Sequence, residues 1–377
     1  MSRGATSLPG ITLILLLLLT SAGCSHRPPA GTWDGWTMEP TGYARSFQLW
    51  KRSTDRMLLT FGPGGTMDTT GIFVITQDGA NPGMPLGTVL LRHSLQRVAL
   101  MSTTHASFIA ALGCADAVVG CAHTDRLRDP QVAARAHGGM LKEIATADGL
   151  DRERILLLAP DALFTYPYGT EADMESLGHM PVIPISEYLE KHPLGRAEWV
   201  RAFGMLFGKE DLADSLFASI TARYQAALEQ VPEDEAKPSV FFGSSWKGTW
   251  SVPAGNSYMA QLIHDAGGSY LFADRTAAGN IDLDLENTIK IGAKARFWGR
   301  VLDQSPPVSA ADVAGHDGRI SGLPAFREHG AFYANSMASD VFGQAGLEPD
   351  VVLQDLIGIF HPELRKAREP VYFRQVQ

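Results

Sequence analysis

The chain has 377 residues, 45% of them hydrophobic, which suffices for about two domains with buried cores. This composition argues against a disordered chain, which would have few apolar residues. The 32 basic and 41 acidic residues give a net charge of −9, and no Lys/Arg-rich run occurs. Nucleic acid is therefore not expected as a partner.

Residues 1–24 have the pattern of an export signal. The apolar run over residues 11–19 is shorter than the roughly 20 residues that cross a bilayer as a helix. Small residues then precede Cys24, an arrangement that resembles a bacterial lipobox, in which the cysteine is acylated and becomes the mature N-terminus. We expect a lipid anchor on Cys24, with ordinary cleavage near Ala22 as the alternative. Residues 25–42 are predicted to form a tether.

The pattern after the tether changes from strands alone to strands that alternate with helices. Residues 43–91 contain four strand-like segments separated by turn sequences, which predicts an antiparallel sheet. From Arg97 onward, short apolar strands alternate with helical segments, and the same alternation restarts after Pro238. Such alternation favours an α/β fold with parallel sheets covered by helices on both faces.

A long amphipathic helix is predicted from Lys209 to Val231, between these two sets of strands. Its apolar residues recur at three- and four-residue steps, Gly208 precedes it and Pro232 ends it. A helix of this length would extend about 34 Å. We expect it to be the single strut between two lobes. The predicted boundaries are 43–207 for the N-terminal lobe, 208–232 for the linking helix and 233–377 for the C-terminal lobe.

Each predicted lobe has a glutamate that opens a helix about nine residues ahead of a strand. Glu153 precedes the strand that begins at Ala162, and Glu286 precedes the strand that begins at Ala295. A carboxylate in the first turn of a helix is stabilised by the helix dipole. Helix capping is therefore sufficient to explain both residues.

Several segments together resemble the class III periplasmic substrate-binding proteins of ABC importers, which bind ferric siderophores, haem and vitamin B12. The resemblance covers the chain from about Tyr43 to the C-terminus. It rests on RVALMSTTHASFIAALGCADAVVGCAHTD, ERILLLAPDALF, the long helix and GTWSVPAGNSYMAQLIHDAGGSYLF. The segments SEYLEKHPLGRAEWVRAFGMLFGKE and PDVVLQDLIGIFHPEL are similar to a lipoprotein branch of that family.

The resemblance implies an extracytoplasmic receptor rather than an enzyme. Its fold would be two Rossmann-like lobes with mainly parallel sheets, joined by one long interdomain helix, with the ligand held between the lobes. The implied ligand is an iron chelate (siderophore or haem) or a corrinoid, and the implied partner is an ABC permease dimer. We expect a monomer on the periplasmic side of the envelope, anchored to a membrane through Cys24, with no cofactor.

Candidate ligand-binding residues in the N-terminal lobe follow its predicted strands, where open parallel sheets bind ligands. The first loop also opens a helix, so its N–H groups and hydroxyls are suited to an anionic group, although N-capping needs the same residues. Aromatic pairs suit a large, flat or chelated ligand. The candidates are Ser102, Thr103, Thr104, His105, His123, Asp125, Arg126, Tyr166 and Tyr168.

Candidates in the C-terminal lobe occupy equivalent positions after its strands. We expect Trp246 and Trp250 to form the wall of the pocket, with Lys247 and Arg300 as partners for ligand carboxylates. Ser245, Trp298 and Asn335 complete this set. Burial of one tryptophan in the core is the alternative.

Glu153 and Glu286 acquire a second interpretation from the resemblance. In the family, one glutamate on the outer face of each lobe docks into a basic pocket of each permease subunit, and these two residues fall at the matching positions. A symmetric transporter suits such a pair because each lobe meets one copy of the same surface.

Two other classes of function remain open. A metal-cation receptor for zinc or manganese is possible through His105, His123 and Asp125, although no H-E-x-x-H motif occurs. The sequence has no G-x-S-x-G, P-loop or G-x-G-x-x-G motif. A hydrolase with a Ser/His/Asp set is therefore the remaining enzyme alternative.

Overall fold

The computed structural model describes residues 35–63, 65–76, 84–85, 87–147, 149–166, 177–233, 236–365 and 368–376. The predicted export signal, Cys24, most of the predicted tether and Tyr168 lie outside the described residues. None of the helices in these ranges combines the length and apolar character that a bilayer crossing requires.

The first part of the chain forms a five-stranded sheet in the order β1-β2-β3-β4-β5. The first three pairings are antiparallel, as predicted, but β5 joins β4 in parallel. The link between these two strands is about a dozen residues long, which permits a crossover rather than a hairpin. The strands are Thr37–Glu39 (β1), Phe47–Arg52 (β2), Asp55–Phe61 (β3), Thr69–Ile75 (β4) and Thr88–Leu91 (β5).

The central strand β3 is buried on both faces of this sheet, since successive side chains along a strand point to opposite faces. Leu58 packs into the main core, whereas its neighbours Met57 and Leu59 pack into a small separate core with Trp36.

The second sheet is parallel and has the order β12-β11-β6-β7-β8. Several of its strands are short and buried along their whole length, as expected for a sheet covered on both faces. Its strands are Val98–Leu100 (β6), Val118–Cys121 (β7), Lys142–Glu143 (β8), Ala162–Thr165 (β11) and Val182–Pro184 (β12). A small ladder joins Ala145–Thr146 (β9) to Gly149–Leu150 (β10). The helices are Thr104–Ala111 (α1), Pro130–His137 (α2) and Arg152–Leu158 (α3).

Two long helices follow this sheet, Pro193–Phe207 (α4) and Glu210–Leu228 (α5). The predicted long helix is thus present as α5, but it ends at Leu228 rather than at Val231. Pro232 has no N–H to donate to the carbonyl of Leu228, and that carbonyl instead accepts a tighter bond from the N–H of Val231 (3.1 Å). Gly208 separates the helices in a left-handed conformation (φ 64°) that ends α4.

The third sheet has the order β16-β13-β18-β19-β20 and is parallel except for its last strand. Its strands are Ser239–Phe242 (β13), Ser269–Tyr270 (β16), Phe297–Leu302 (β18), Ala331–Asn335 (β19) and Phe373–Gln375 (β20). The helices are Tyr258–Asp265 (α6), Leu285–Gly292 (α7), Ala310–Val313 (α8), Gly318–Ser321 (α9), Pro324–Arg327 (α10), Gln344–Leu347 (α11) and Pro349–Phe360 (α12). The fold is therefore α/β with two mainly parallel sheets, as the sequence predicts.

A small antiparallel sheet beside β13 was not predicted. It contains Ser244–Trp246 (β14), Thr249–Val252 (β15) and Ile281–Leu283 (β17). Its hairpin turns at Lys247 and Gly248, which both have positive φ (49° and 83°). This is the backbone geometry that two-residue hairpin loops favour, so residues predicted as one loop after β13 instead form a hairpin.

Helix α5 connects the two lobes through contacts on both. On one side it packs against α4, and an added Cβ at Gly204 would lie only 2.4 Å from the Cβ of Ala213. Further along the helix Arg223 pairs with Asp350 (Nε to Oδ2, 2.5 Å), and the hydroxyl of Tyr224 donates to Asp265 (2.6 Å). One hydrophobic cluster includes residues of both parallel sheets. The link between the lobes is thus a packed helix pair with apolar contacts, broader than one strut.

Two buried glutamates fasten the N-terminal sheet to α4. Glu198 accepts hydrogen bonds from the N–H groups of residues 42–44 (2.8–2.9 Å) and pairs with Arg201 (3.2 Å). Glu190 accepts from the N–H of Ser46 (2.8 Å) and from the indole of Trp199 (3.1 Å). A buried carboxylate is stable only when it is hydrogen-bonded and paired in this way. The segment SEYLEKHPLGRAEW therefore has a structural role.

We predict that Glu198→Gln lowers the free energy of unfolding by about 2–4 kcal/mol, because it removes the charge that three N–H groups and Arg201 share. Chemical denaturation followed by circular dichroism measures this change. Exposed Glu229→Gln is the control and is expected to stay within about 0.5 kcal/mol of wild type. Equal stability of the two variants would contradict the structural role of Glu198.

Candidate functional site

The carboxyl ends of the parallel strands in the two lobes meet at one cleft. Two hydrogen bonds cross it directly: the hydroxyl of Ser107 donates to Asp340 (2.9 Å), and Nε of Arg128 donates to the carbonyl of Ser336 (3.1 Å). Ser107 lies on α1, which follows β6, whereas the acceptors lie in the loop after β19. Ligands bind at this edge in open parallel sheets, so the cleft is the candidate site.

The loop over residues 336–343, which we call the bridging loop, is held in place by its own hydrogen bonds. Asp340 accepts from the N–H groups of Gly343 (3.0 Å) and Gln344 (2.9 Å). The loop exposes Met337 (47%) and Phe342 (60%), two large apolar side chains that sequence reasoning missed. Met337 comes two residues after β19, which is the same signal that identified the other candidates, whereas Phe342 lies further along the loop.

The predicted loop Ser102–Thr104 lies at the edge of the cleft and is half-buried. The hydroxyls of Ser102 and Thr104 are 2.9 Å apart, and Thr104 also donates to Glu187 (2.8 Å). Ser102 accepts a bond from the N–H of Thr104 (3.3 Å), whereas Thr103 makes no side-chain capping bond. Ser102 therefore has the helix-capping role that was the alternative to ligand binding.

His105, predicted to bind ligand, is buried inside the N-terminal lobe. Its ring is buried between Phe164 and Phe203, and its Nε2 lies 3.6 Å from a carboxylate oxygen of Glu187. Burial opposes ionisation of Glu187, but His105 and Thr104 outweigh burial and lower the pKa of this carboxyl. The side chains of neighbouring helical residues differ in direction by about 100°. His105 can therefore point into the lobe while Thr104, the residue before it, faces the edge of the cleft.

His123, Asp125 and Arg126 are exposed on a short turn after β7. Glu143 holds this turn by accepting from the N–H groups of His123 (3.0 Å) and Thr124 (2.8 Å). Burial raises the pKa of Glu143, but these hydrogen bonds and one from the N–H of Ala145 lower it by more. The net effect is a lowered pKa, so the carboxylate remains charged. Sequence reasoning missed Glu143, whose position in a strand gives no signal of this contact.

Two tyrosines are exposed after the neighbouring strands β11 and β12. Tyr166 was predicted and is 38% exposed, and Tyr188, equally exposed, was missed. The backbone carbonyl of Tyr188 accepts a bond from Arg196 (3.2 Å), whose guanidinium stacks over the ring of Tyr258 in the other lobe (4.0 Å).

Trp250, predicted for the wall of the pocket, and Trp298, a further candidate, lie in the core of the C-terminal lobe. Both are buried, with ring centroids 5.3 Å apart, and Trp298 stacks on Phe241 at 3.9 Å. Strand alternation directs Trp250 into the core, so the alternative of core burial applies to both residues. Trp246 ends β14, and the structure describes its backbone alone.

Arg300, predicted as a partner for ligand carboxylates, is also buried. Its Nη1 donates to the carbonyls of Asp312 (3.0 Å) and Val313 (3.4 Å), and burial lowers its pKa. An added Cβ at Gly315 would lie 2.8 Å from the hydroxyl of Ser245 and 3.3 Å from Nη1 of Arg300. Ser245 and Arg300 therefore lie together beneath Gly315.

Lys247 is exposed at the hairpin turn, whereas Asn335 is buried. The amide of Asn335 donates to the carbonyl of Gln304 (2.8 Å) and accepts from the N–H of Met337 (3.1 Å). Asn335 thus fixes the start of the bridging loop.

The structure does not bring the predicted metal ligands together. His105 is buried beside Glu187, whereas His123 and Asp125 are exposed on the next loop. Across the described ranges, no three His, Cys, Asp or Glu side chains form a group that could hold a metal ion.

Glu153 and Glu286 occupy the same position on matching helices. The N-caps are their neighbours: Asp151 accepts from the N–H of Arg154 (3.0 Å), and Asp284 accepts from the N–H of Asn287 (2.7 Å). Both glutamates are exposed, and within the described ranges neither carboxylate forms a hydrogen bond or an ion pair. Capping by the two glutamate side chains is therefore not observed.

A groove of about 470 Å³ lies away from the cleft, between α12 and β20. Its arginines serve the fold, because Arg368 pairs with Asp355 (2.9 Å) and Arg365 donates to the carbonyl of Gly358 (3.2 Å). The cleft between the lobes, which loops after strands of both lobes border, remains the better candidate site.

The cleft and fold agree with comparisons to known proteins. Residues 98–336 match the model of the periplasmic binding protein family, so the sheet β1–β5 precedes the matched region. An uncharacterised lipoprotein of Methanocaldococcus jannaschii is 25% identical over 296 residues, which cover 74% of this chain and 68% of the relative.

Solved structures of similar fold include a heme-binding protein and a component of an iron transport system. A periplasmic heme-binding protein from Pseudomonas aeruginosa is 17% identical, with a TM-score of 0.58 over 75% of this chain and 98% of the other. An Fe3+-hydroxamate transport protein from Saccharomonospora viridis is 19% identical, with a TM-score of 0.55 over 70% and 93%. The chain belongs to the periplasmic binding protein family, and it is therefore an extracytoplasmic solute-binding protein rather than an enzyme.

Proposed function

We propose that the chain is the receptor of an ABC importer and captures an iron chelate, either a siderophore or haem, or a corrinoid in the cleft. The observation that carries this proposal is the composition of the cleft rim. Exposed Tyr166 and Tyr188 follow strands of one lobe, and exposed Met337 and Phe342 follow a strand of the other. Large chelates and macrocycles offer flat apolar surfaces that such side chains bind. The heme and Fe3+-hydroxamate proteins of similar fold support this ligand class.

The polar residues at the cleft would recognise the charged groups of the ligand. Arg126 and Lys247 are exposed and can pair with carboxylates, and the N–H groups at the start of α1 can receive an anion. His123, Asp125, Ser102 and Thr103 can add hydrogen bonds. Because His105 is buried beside Glu187, Tyr166 is the better candidate for an axial ligand if the chelate is haem.

Delivery to the importer would depend on the N-terminal anchor and on two exposed carboxylates. We infer that Cys24 is lipidated and that residues 25–42 tether the receptor to a membrane. The lipoprotein relative supports this anchor. Glu153 and Glu286, one on each lobe, would then dock into basic pockets of the permease dimer.

Capture would involve only a small rotation of the lobes. The packed helix pair α4–α5 and the shared hydrophobic cluster resist separation of the lobes. The two hydrogen bonds across the cleft are the contacts that such a rotation would change most easily.

We predict that purified protein binds at least one of haem, a ferric hydroxamate and cobalamin, and that Met337→Ala weakens this binding about threefold to tenfold, because it removes an apolar contact. Quenching of tryptophan fluorescence measures the affinity. Met38→Ala, which truncates an equally exposed methionine on β1, is the control. Equal effects of the two substitutions would exclude the bridging loop from the site, and no binding of any ligand would remove the proposal's main support.

Free and loaded protein are expected to have nearly the same shape in small-angle X-ray scattering. The expected result is a modest lobe rotation, because closure through a large angle would break the packing of α5 against both lobes. Data that require such a closure would contradict the proposed role of the helix pair.

Reversal of charge at both docking positions, Glu153→Lys with Glu286→Lys, is predicted to abolish ligand uptake by cells while ligand affinity in solution stays unchanged. Each lysine would face a basic pocket, and like charges repel at an interface. Glu229→Lys, at another exposed position, is the control and should not alter uptake. Normal uptake by the double variant would reject docking through these residues.

A further inference from the structure

The two helices that carry Glu153 and Glu286 present different surfaces beside their glutamates. Residues three and four positions further along a helix lie on the same face as the first residue. These positions are Leu156 and Leu157 in the N-terminal lobe, and Ile289 and Lys290 in the C-terminal lobe. The two helices are therefore matched at the carboxylate but not around it.

The face beside Glu153 is apolar and open to solvent. Leu157 is 86% exposed and Leu156 is 54% exposed, the first being the most exposed large apolar side chain in the described part of the chain. The other apolar residues of this helix, Ile155 and Leu158, contact the core of the lobe. The two leucines therefore form an exposed apolar patch on the solvent side of this helix, whereas Ile155 and Leu158 attach the helix to its lobe.

The face beside Glu286 is ionic. Lys290 is exposed one turn away, and Arg319, whose pKa is raised chiefly by Asp317, also interacts with the charge of Glu286. Ile289 is half-buried and packs against the main core. The carboxylate in this lobe is therefore partly balanced by cations of its own chain.

We propose that the N-terminal lobe makes the dominant contact with the permease, and that Leu156 and Leu157 enter an apolar depression beside the basic pocket that receives Glu153. This inference rests on the proposed receptor function. Burial of Leu157 would make the contact of the N-terminal lobe less sensitive to salt than the contact of Glu286 and Lys290, because apolar burial is not screened by ions. The two lobes would thus bind the same transporter with unequal strength.

A second copy of this chain fits the leucine face less well than a permease does. Glu153 needs a cation from its partner, but Arg154 beside it is already paired with Asp151 (3.2 Å) and donates to the carbonyl of Glu143 (2.7 Å). The chain also has a net charge of −9, which disfavours self-association at low salt. The matching position of a glutamate on each lobe instead favours a partner with two cationic pockets.

The test measures binding of the purified, ligand-free receptor, without its anchor, to envelope membranes from source cells that lack it. Leu157→Ser is expected to weaken binding at least tenfold at both 50 and 500 mM salt, since about 1.4 kcal/mol corresponds to tenfold. Lys290→Leu is expected to leave binding unchanged or to strengthen it. The control is Leu212→Ser, on the exposed side of α5, which should bind like wild type.

A photo-crosslinking residue at position 157 identifies the partner in the same membranes. An adduct with a polytopic permease subunit, absent when the residue stands at position 212, supports the proposal, whereas an adduct with a second receptor copy overturns it. If Leu157→Ser binds like wild type while the double charge reversal does not, the leucine face is refuted and docking survives. If neither variant loses binding, docking through these helices fails as well.

Discussion

The close crossing of helices α4 and α5 is the constraint on which the arrangement of the lobes depends. Gly204 and Ala213 meet at a distance that admits no additional side chain, so α5 lies directly on the N-terminal lobe. Nearer its C-terminal end, Arg223 and Tyr224 of the same helix reach Asp350 and Asp265 of the C-terminal lobe. Because side chains in a packed interior move little, this packing restrains the two lobes relative to each other.

Many polar residues near the cleft hold the fold rather than face a ligand. Glu187 keeps His105 inside the N-terminal lobe, Glu143 holds the turn at His123, and Asn335 fixes the bridging loop. Each is buried or half-buried and hydrogen-bonded, which is how a protein tolerates polar groups at such sites. These contacts leave a cleft rim of exposed aromatic, thioether and cationic side chains.

The elements that local pattern specifies could be predicted from the sequence. The apolar spacing of α5 and the alternation of strands with helices gave the fold class, and Asp151 and Asp284 stand where a helix start requires a cap. What failed depends on distant contacts. Thr104 and Glu187 are 83 residues apart, and only the folded sheet brings them together to turn His105 inward.

Exposure was harder to predict than position. Trp250 and Met337 both follow strands of the C-terminal lobe, yet the first is buried by a hairpin and the second is left in solvent by the bridging loop. Burial of a tryptophan is favourable wherever a neighbouring ring is available, and Trp298 provides that ring. A single sequence does not specify such pairs.

The central claim is that the cleft binds an iron chelate or a corrinoid. Native mass spectrometry and the visible spectrum of protein purified from its source test this claim most directly. The account predicts an added mass of one such ligand with matching visible absorption, or the same complex after incubation with haem, a ferric hydroxamate and cobalamin. A protein that stays at the mass of its own chain under all these conditions would contradict it.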